Sequence, residues 1–230
     1  MNVAVVTVGD ELLAGDTANT NATWLCGELT DRGVDVRRVI TLPDVVGDIA
    51  RVVNEYRAEY DAVVITGGLG PTHDDLTMES VAAAFGREVA HDQAAEDWLV
   101  EHSGYAAADL DPGTTAIPRG ADPLHNEVGV APGCVLENVY VLPGVPTEMK
   151  AMFADVAENF SGPQRYVRQI AVDEPESHLV DRFDDLRERF DVAVGSYPGD
   201  HVRVKLSGTD RDAVDAAAAW LRERVDLLEE

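Results

Sequence analysis

The sequence predicts an α/β fold: a mostly parallel sheet with helices on both faces, followed by a small α+β unit of order β-α-β-β-α. Three observations carry this reading. Short runs of β-branched and aliphatic residues, apolar on both faces, recur up to Leu142 and end at glycine or proline, as strands inside a parallel sheet do. Between them lie stretches with apolar residues at helical spacing, joined by short turns. After Ser161-Gly162-Pro163 the pattern restarts in a different order, which divides the chain into residues 1–163 and 164–230. A length of 230 residues suits one large domain with a smaller one attached.

Residues 2–8 (Asn-Val-Ala-Val-Val-Thr-Val) form the first buried strand, ending at Gly9. Ala18, Ala22, Leu25 and Leu29 set a helix over 18–32, stopped by Gly33. Val34 to Ile40 reads as a second strand. Residues 44–58 read as a helix with Val45, Ile49, Val52, Val53 and Tyr56 on its apolar side. Ala62 to Thr66 is a third strand, and a helix follows from Thr77 to Phe85 with Thr77 as its N-cap. Asp92 to Glu101 is helical, 104–134 is rich in Gly, Pro, Asp and Asn and predicts loops and short strands, Val139 to Leu142 is a strand, and 147–160 is a helix. The second unit reads as strand 167–172, helix 176–190, strands 192–196 and 202–207, and helix 211–226.

Charge narrows the function. Forty-three acids against eighteen bases give a net charge of −25, and only Lys150 and Lys205 are lysines. Such a surface repels phosphate backbones and anionic lipid, so neither a nucleic-acid nor a membrane partner is expected. The acids are spread along the chain, as in a protein from a salt-saturated cytoplasm. No apolar run reaches the ~18 residues of a membrane span and the first strand follows Met1 directly, so the expected location is cytoplasmic. Cys26 and Cys134 match no metal-ligand spacing and read as buried, reduced thiols. The six histidines form no zinc pair, and no serine or cysteine sits in a nucleophile elbow.

The densest local signal is Thr66-Gly67-Gly68-Leu69-Gly70-Pro71-Thr72-His73-Asp74-Asp75-Leu76-Thr77. A buried strand feeds a glycine turn that opens onto a helix, whose N-terminus favours a phosphate. Asp74 and Asp75 beside such a cradle suit a divalent cation that bridges carboxylate and phosphate oxygens. The same segment also reads as a tight strand-to-helix turn capped by either aspartate. In open parallel sheets ligands bind beyond the carboxyl ends of the strands. That brings in Glu11 of Gly9-Asp10-Glu11, Asn19-Thr20-Asn21, Asp44 of Leu42-Pro43-Asp44, Asn126-Glu127-Val128-Gly129 and Leu142-Pro143-Gly144-Val145-Pro146. Asp44 reads alternatively as a helix N-cap, and the last two segments as turns.

Taken together, these motifs resemble, in order and separation, the N-terminal region of the CinA family (competence/damage-inducible protein A). The second unit resembles the small KH-type domain that follows it there. Through Gly67-Gly68-x-Gly70 and Asp75-x-Thr77 the chain is also similar to the molybdopterin-binding domains of molybdenum-cofactor biosynthesis. The resemblance implies a three-layer α/β/α domain that binds a pterin or a nucleotide pyrophosphate. For CinA-like proteins it implies metal-dependent hydrolysis of ADP-ribose and related dinucleotides, with magnesium, manganese or cobalt; for the wider kin, AMP transfer to molybdopterin, or binding of it. Carried over, Gly67, Gly68 and Gly70 cradle phosphate and Thr72 adds a hydroxyl. Asp75 and Asp44 are the catalytic acids, and Asp74 with Asp75 holds the metal. Glu11, Asn19, Asn21, Asn126, Glu127, Pro143 and Gly144 line the remaining walls. The resemblance also implies a homo-oligomer, dimer or trimer. It does not reach the amidase domain common in bacterial members, so amidase activity is not expected. Val145 stands where proline is usual and His73 where lysine is common. The second unit is net acidic and lacks a basic Gly-x-x-Gly loop, which argues against RNA binding by it.

Overall fold

The computed structural model describes residues 1–70, 75–103, 106, 110–111 and 113–228. The predicted strands are present: β1 (Asn2–Val8) leads through the short helix α1 (Asp10–Ala14) into α2 (Thr20–Asp31), then β2 (Asp35–Leu42), α3 (Val46–Glu59), β3 (Ala62–Thr66) and α4 (Thr77–Ala84). β4 (Val89–His91), α5 (Gln93–Ser103), β5 (Ala116–Pro118), β6 (Asp122–Leu124) and β7 (Gly133–Leu136) precede β8 (Val139–Leu142) and α6 (Pro146–Val156). The second series is β9 (Tyr166–Val172), α7 (Val180–Arg189), β10 (Ala193–Tyr197), β11 (Val202–Gly208) and α8 (Arg211–Arg222). The chain divides by contacts into Met1–Gly162 and Pro163–Glu230.

The main sheet has the order β2-β1-β3-β8-β7-β6. Its first four strands are parallel, and β7 turns back antiparallel to β8 and to β6. Because side chains alternate along a strand, the apolar runs split between two layers. Val3, Val5, Val64 and Leu142 pack under α2 and α6 with Leu25, Leu29, Met149 and Phe153. Val6, Val8, Ile65 and Val141 pack under α3 and α4 with Ile49, Val52, Val53 and Val81. This is the three-layer α/β/α arrangement, and each fully buried aliphatic or aromatic side chain in it contributes about 1.5–3 kcal/mol.

Three local expectations differ from the structure. The segment after β1 contains α1, a helix for which the sequence shows no apolar periodicity. Asp10 and Glu11 in its first turn complement the helix dipole, and Gly15 closes it at φ 78°. Thr77 is the first helical residue rather than the cap; Leu76 occupies the cap position without a side-chain bond. Asp44 is not a cap either: Val45 precedes α3, and Asp44 bonds elsewhere.

Cys134 is fully buried, and Cys26 is partly exposed. Burial raises both thiols, and pushes Cys134 up to about 12. A thiol whose pKa lies that far above the medium carries almost no thiolate at pH 8. Cys134 is therefore expected to resist iodoacetamide in the native protein and to react within minutes in denaturant, which peptide mass spectrometry would register.

In the second unit a three-stranded antiparallel sheet, β10-β11-β9, packs α7 and α8 on one face. Ile170, Val204 and Leu206 meet Phe183, Leu186, Val214 and Leu221 there. Asp210 caps α8, its carboxylate accepting from the Asp212 and Ala213 N–H groups. The order is β-α-β-β-α, and the helix expected over 211–226 ends at Arg222.

Candidate functional site

The carboxyl edge of the parallel strands carries a row of hydroxyls. In register, Thr41 of β2 pairs with Thr7 of β1, and Thr7 with Thr66 of β3. Thr7 and Thr66 are buried, so their hydroxyls need partners within the protein. Thr7 Oγ1 lies 2.9 Å from Thr41 Oγ1. Asn19 donates from Nδ2 to both, at 2.9 and 3.2 Å, and its Oδ1 accepts the Ala22 N–H at 3.0 Å as the N-cap of α2. Asn21 donates to Thr66 Oγ1 at 3.2 Å and to the Gly144 carbonyl at 2.7 Å, while the Thr66 hydroxyl donates to the Pro143 carbonyl. The two asparagines thus fasten the start of α2 to the ends of four parallel strands. Asn19→Ala removes a helix cap and two side-chain bonds. A loss of about 1–2 kcal/mol is expected, measured as a lower midpoint in chemical denaturation.

Threonine placement was the signal that sequence reading passed over. Val-Val-Thr-Val, Ile-Thr-Leu and Val-Ile-Thr-Gly each put a threonine at or next to the end of an apolar run, and that position is shared across the sheet.

The glycine turn after β3 is shaped by its neighbours. Gly67 has φ 119°, and a Cβ there would strike the Val8 carbonyl oxygen. Its N–H continues the β3–β8 ladder, donating to the Leu142 carbonyl at 3.2 Å. A Cβ on Gly144 would stand 3.3 Å from the Gly67 Cα. Gly67, expected to cradle phosphate, and Gly144, expected in a wall, therefore also serve the close approach of three strand ends. Gly68 is left-handed at φ 59°, and its carbonyl accepts the first N–H of α4, from Thr77, at 3.3 Å. Among the described residues no hydrogen bond engages the N–H groups of Gly68, Leu69 or Gly70.

Around this turn the carboxylates gather. Glu11 folds back against Gly9, in the space that a side chain there would take. Asp44 accepts the Asp10 N–H at 3.0 Å, and Asp10 accepts the Asp44 N–H at 3.4 Å, so the loops after β1 and β2 hold each other. The Asp75 carboxylate lies against Gly70. Glu11, Asp44 and Asp75 line one cleft of about 200 Å³ together with Gly67, Gly68 and Gly144. A narrower recess of about 90 Å³ adjoins it, sharing Glu11, Gly67 and Gly144 and adding Asn19, Asn21 and Thr66. On the other side Gly68 and Asp75 are shared with a larger cavity of about 630 Å³, whose walls include Leu69, Met78, Ala82 and Pro132.

Thr72 and Asp74, with Pro71 and His73, lie outside the described residues. Asn126 is buried and closes its own loop: Oδ1 accepts the Gly129 N–H at 2.7 Å, and Nδ2 donates to Glu148 on α6 at 2.8 Å and to the Ala131 carbonyl at 3.0 Å. Glu127 is exposed on that loop, and neither it nor Asn126 lines these cavities. Among the described residues no three His, Cys, Asp or Glu side chains converge closely enough to hold a metal ion by themselves. No helix among them is long and apolar enough to cross a membrane.

Comparison with known proteins identifies the family. Residues 4–161 match the family model described as a probable molybdopterin binding domain. Residues 164–227 match the middle domain of FAD synthase, not the KH-type domain expected from the sequence. A relative from Archaeoglobus fulgidus is 38% identical over 225 residues, covering 97% of each chain. One from Thermococcus kodakarensis is 34% identical over 250 residues and covers all of both. The solved structure of CinA from Thermoplasma acidophilum, a protein of unknown function, superimposes with a TM-score of 0.64 at 37% identity, over 69% of this chain and 97% of that one.

Proposed function

Since this CinA-like chain belongs to the family of probable molybdopterin-binding domains, we propose that it binds a nucleotide or pterin pyrophosphate and hydrolyses it. The preferred substrate is ADP-ribose or a similar dinucleotide, and a divalent cation assists. The observation that carries this reading is the cleft in which Glu11, Asp44 and Asp75 face the glycine turn, opening past Asp75 into the larger cavity.

The turn suits the phosphates. The N–H groups of Gly68, Leu69 and Gly70 are not used by the described fold, and the N-terminus of α4 adds partial positive charge. Leu69, Met78, Ala82 and Pro132 give the larger cavity the apolar walls that a planar base or pterin requires. Three carboxylates beside a pyrophosphate would repel it unless a cation lies between them. Their oxygens suit magnesium, manganese or cobalt, held by one or two carboxylates together with phosphate oxygens and water. The ion would supply Lewis acidity and a water of lowered pKa. For the protein's part, Asp75 and Asp44 orient the attacking water and take its proton. The Asp10 N–H fixes the Asp44 carboxylate for this, and the turn holds the phosphates in line. The P–O–P bond breaks, so ADP-ribose gives AMP and ribose 5-phosphate.

A second reading, AMP transfer to molybdopterin or plain binding of it, is favoured by the description of the matched family itself. Purified protein is to be incubated in high potassium chloride, as its acidic composition recommends, with ADP-ribose and Mg²⁺, Mn²⁺ or Co²⁺. AMP release that needs the metal supports hydrolysis. No AMP with any metal, together with molybdopterin binding at micromolar concentration, would replace the first reading by the second.

A further inference from the structure

The proposed chemistry gives no occupant to the recess of about 90 Å³ that adjoins the cleft. The recess meets the cleft at Glu11, Gly67 and Gly144, and shares no wall with the 630 Å³ cavity. Its space equals that of about three water molecules. A bicyclic base needs more room and a flat apolar wall. Among the described residues, the recess is lined by no aromatic ring and by no lysine or arginine.

Its hydrogen-bonding character is one-sided. Asn21 Nδ2 donates both hydrogens, to Thr66 Oγ1 and to the Gly144 carbonyl. A carbonyl only accepts, and Thr66 gives its own proton to Pro143, so the Asn21 amide cannot be turned over. Asn21 Oδ1 is therefore an acceptor, and it is buried without a hydrogen-bond partner. The other buried donors are spent. Asn19 gives its two hydrogens to Thr7 and Thr41, the Thr7 hydroxyl is taken up by Thr41 and the Ile40 carbonyl, and the Gly67 N–H goes to Leu142. What remains is the Asn21 oxygen and the Glu11 carboxylate, both acceptors. Such walls repel phosphates and carboxylates, and a buried acceptor calls for a donor.

We infer that the recess is a sugar subsite: it takes the hydroxyl edge of one small sugar, of pentose size, carried on the phosphate farther from the base. Its place in the substrate rests on the phosphate site proposed at the glycine turn. The ligand is then sorted at both ends. The base enters the apolar cavity past Asp75, the pyrophosphate spans the turn, and the sugar enters past Glu11. A second nucleoside in place of the sugar brings a ring system for which the recess has neither the space nor the wall. ADP-ribose is accepted, and dinucleotides with a base at each end are rejected.

Calorimetric titration of the full chain in high potassium chloride and Mg²⁺ tests the subsite without turnover. The probes are ribose 5-phosphate, inorganic phosphate and tetrahydrofurfuryl phosphate, which has the same ring without hydroxyls. Wild type is expected to bind ribose 5-phosphate about tenfold or more tightly than either of the others. Thr20→Met narrows the recess from an exposed position and is expected to abolish that preference while phosphate binding stays. Thr17→Met, on the loop before α2, repeats the test where the first variant melts early. Equal binding of the three probes would overturn the subsite and leave the recess to water, and a preference that survives both variants would place the sugar elsewhere. Hydrolysis separates this from the parent reading. No AMP from ADP-ribose with the preference intact removes the hydrolase and keeps the subsite. AMP released from NAD⁺ or diadenosine diphosphate as fast as from ADP-ribose keeps the hydrolase and removes the subsite.

Discussion

Asp75→Asn is expected to lower AMP release from ADP-ribose by about a hundredfold or more while the protein remains folded. Asparagine keeps the outline of the side chain against Gly70 but loses the charge and the basicity that the proposed chemistry needs. Asp75 stands on the wall shared by the 200 Å³ cleft and the 630 Å³ cavity, so it is the carboxylate placed where phosphate and heterocycle would meet. Steady-state rates with added Mn²⁺, beside a thermal melt of each protein, separate chemistry from folding. Activity within threefold of wild type would remove Asp75 from the mechanism. The same variant also excludes a contaminating hydrolase, whose rate it would not change.

Replacing Gly67 by alanine should be strongly damaging to the first unit. At φ 119° an L side chain is strained by roughly 1–3 kcal/mol, and the new Cβ also runs into the Val8 backbone carbonyl, which cannot move without shifting β1. A loss of about 3 kcal/mol or more is expected, lowering the melting temperature by about 6–12 °C for a unit of this size. Gly15→Ala is the matched control. It has φ 78° with nothing within 4 Å of its Cβ, so it carries strain without collision and should cost about 1–2 kcal/mol. Equal losses in the two variants would show that the contact with Val8 is relieved at little cost. That would leave the close packing of the strand ends without its proposed role.

Alternation of apolar runs with helical spacing was enough to read the α/β architecture, the parallel strands and the β-α-β-β-α order of the second unit. Those patterns are local: a strand buried on both faces must be apolar throughout, and a helix lying on a sheet must be apolar every third or fourth residue. Gly67, Gly68, Asp75, Glu11 and Asp44 were legible for a related reason, since each follows a strand whose carboxyl end must open on the same rim. What a pattern cannot contain is which distant groups find each other. Asp44 also read, alternatively, as a helix cap, because an aspartate before a helix usually is one. Only the adjacency of the loops after β1 and β2 gives it the Asp10 N–H instead. Asn126 looked like a wall of the site, and folding turns it inward to tie its loop to Glu148 of α6. The threonine row needed the register of three strands before Thr7, Thr41 and Thr66 became neighbours. The sequence by itself determined the buried strands, the longer helices and where ligand chemistry could gather. The tertiary structure decided which polar groups are spent holding the strand ends together and which are left to face a ligand, because a buried hydrogen bond is settled by proximity in space and not along the chain.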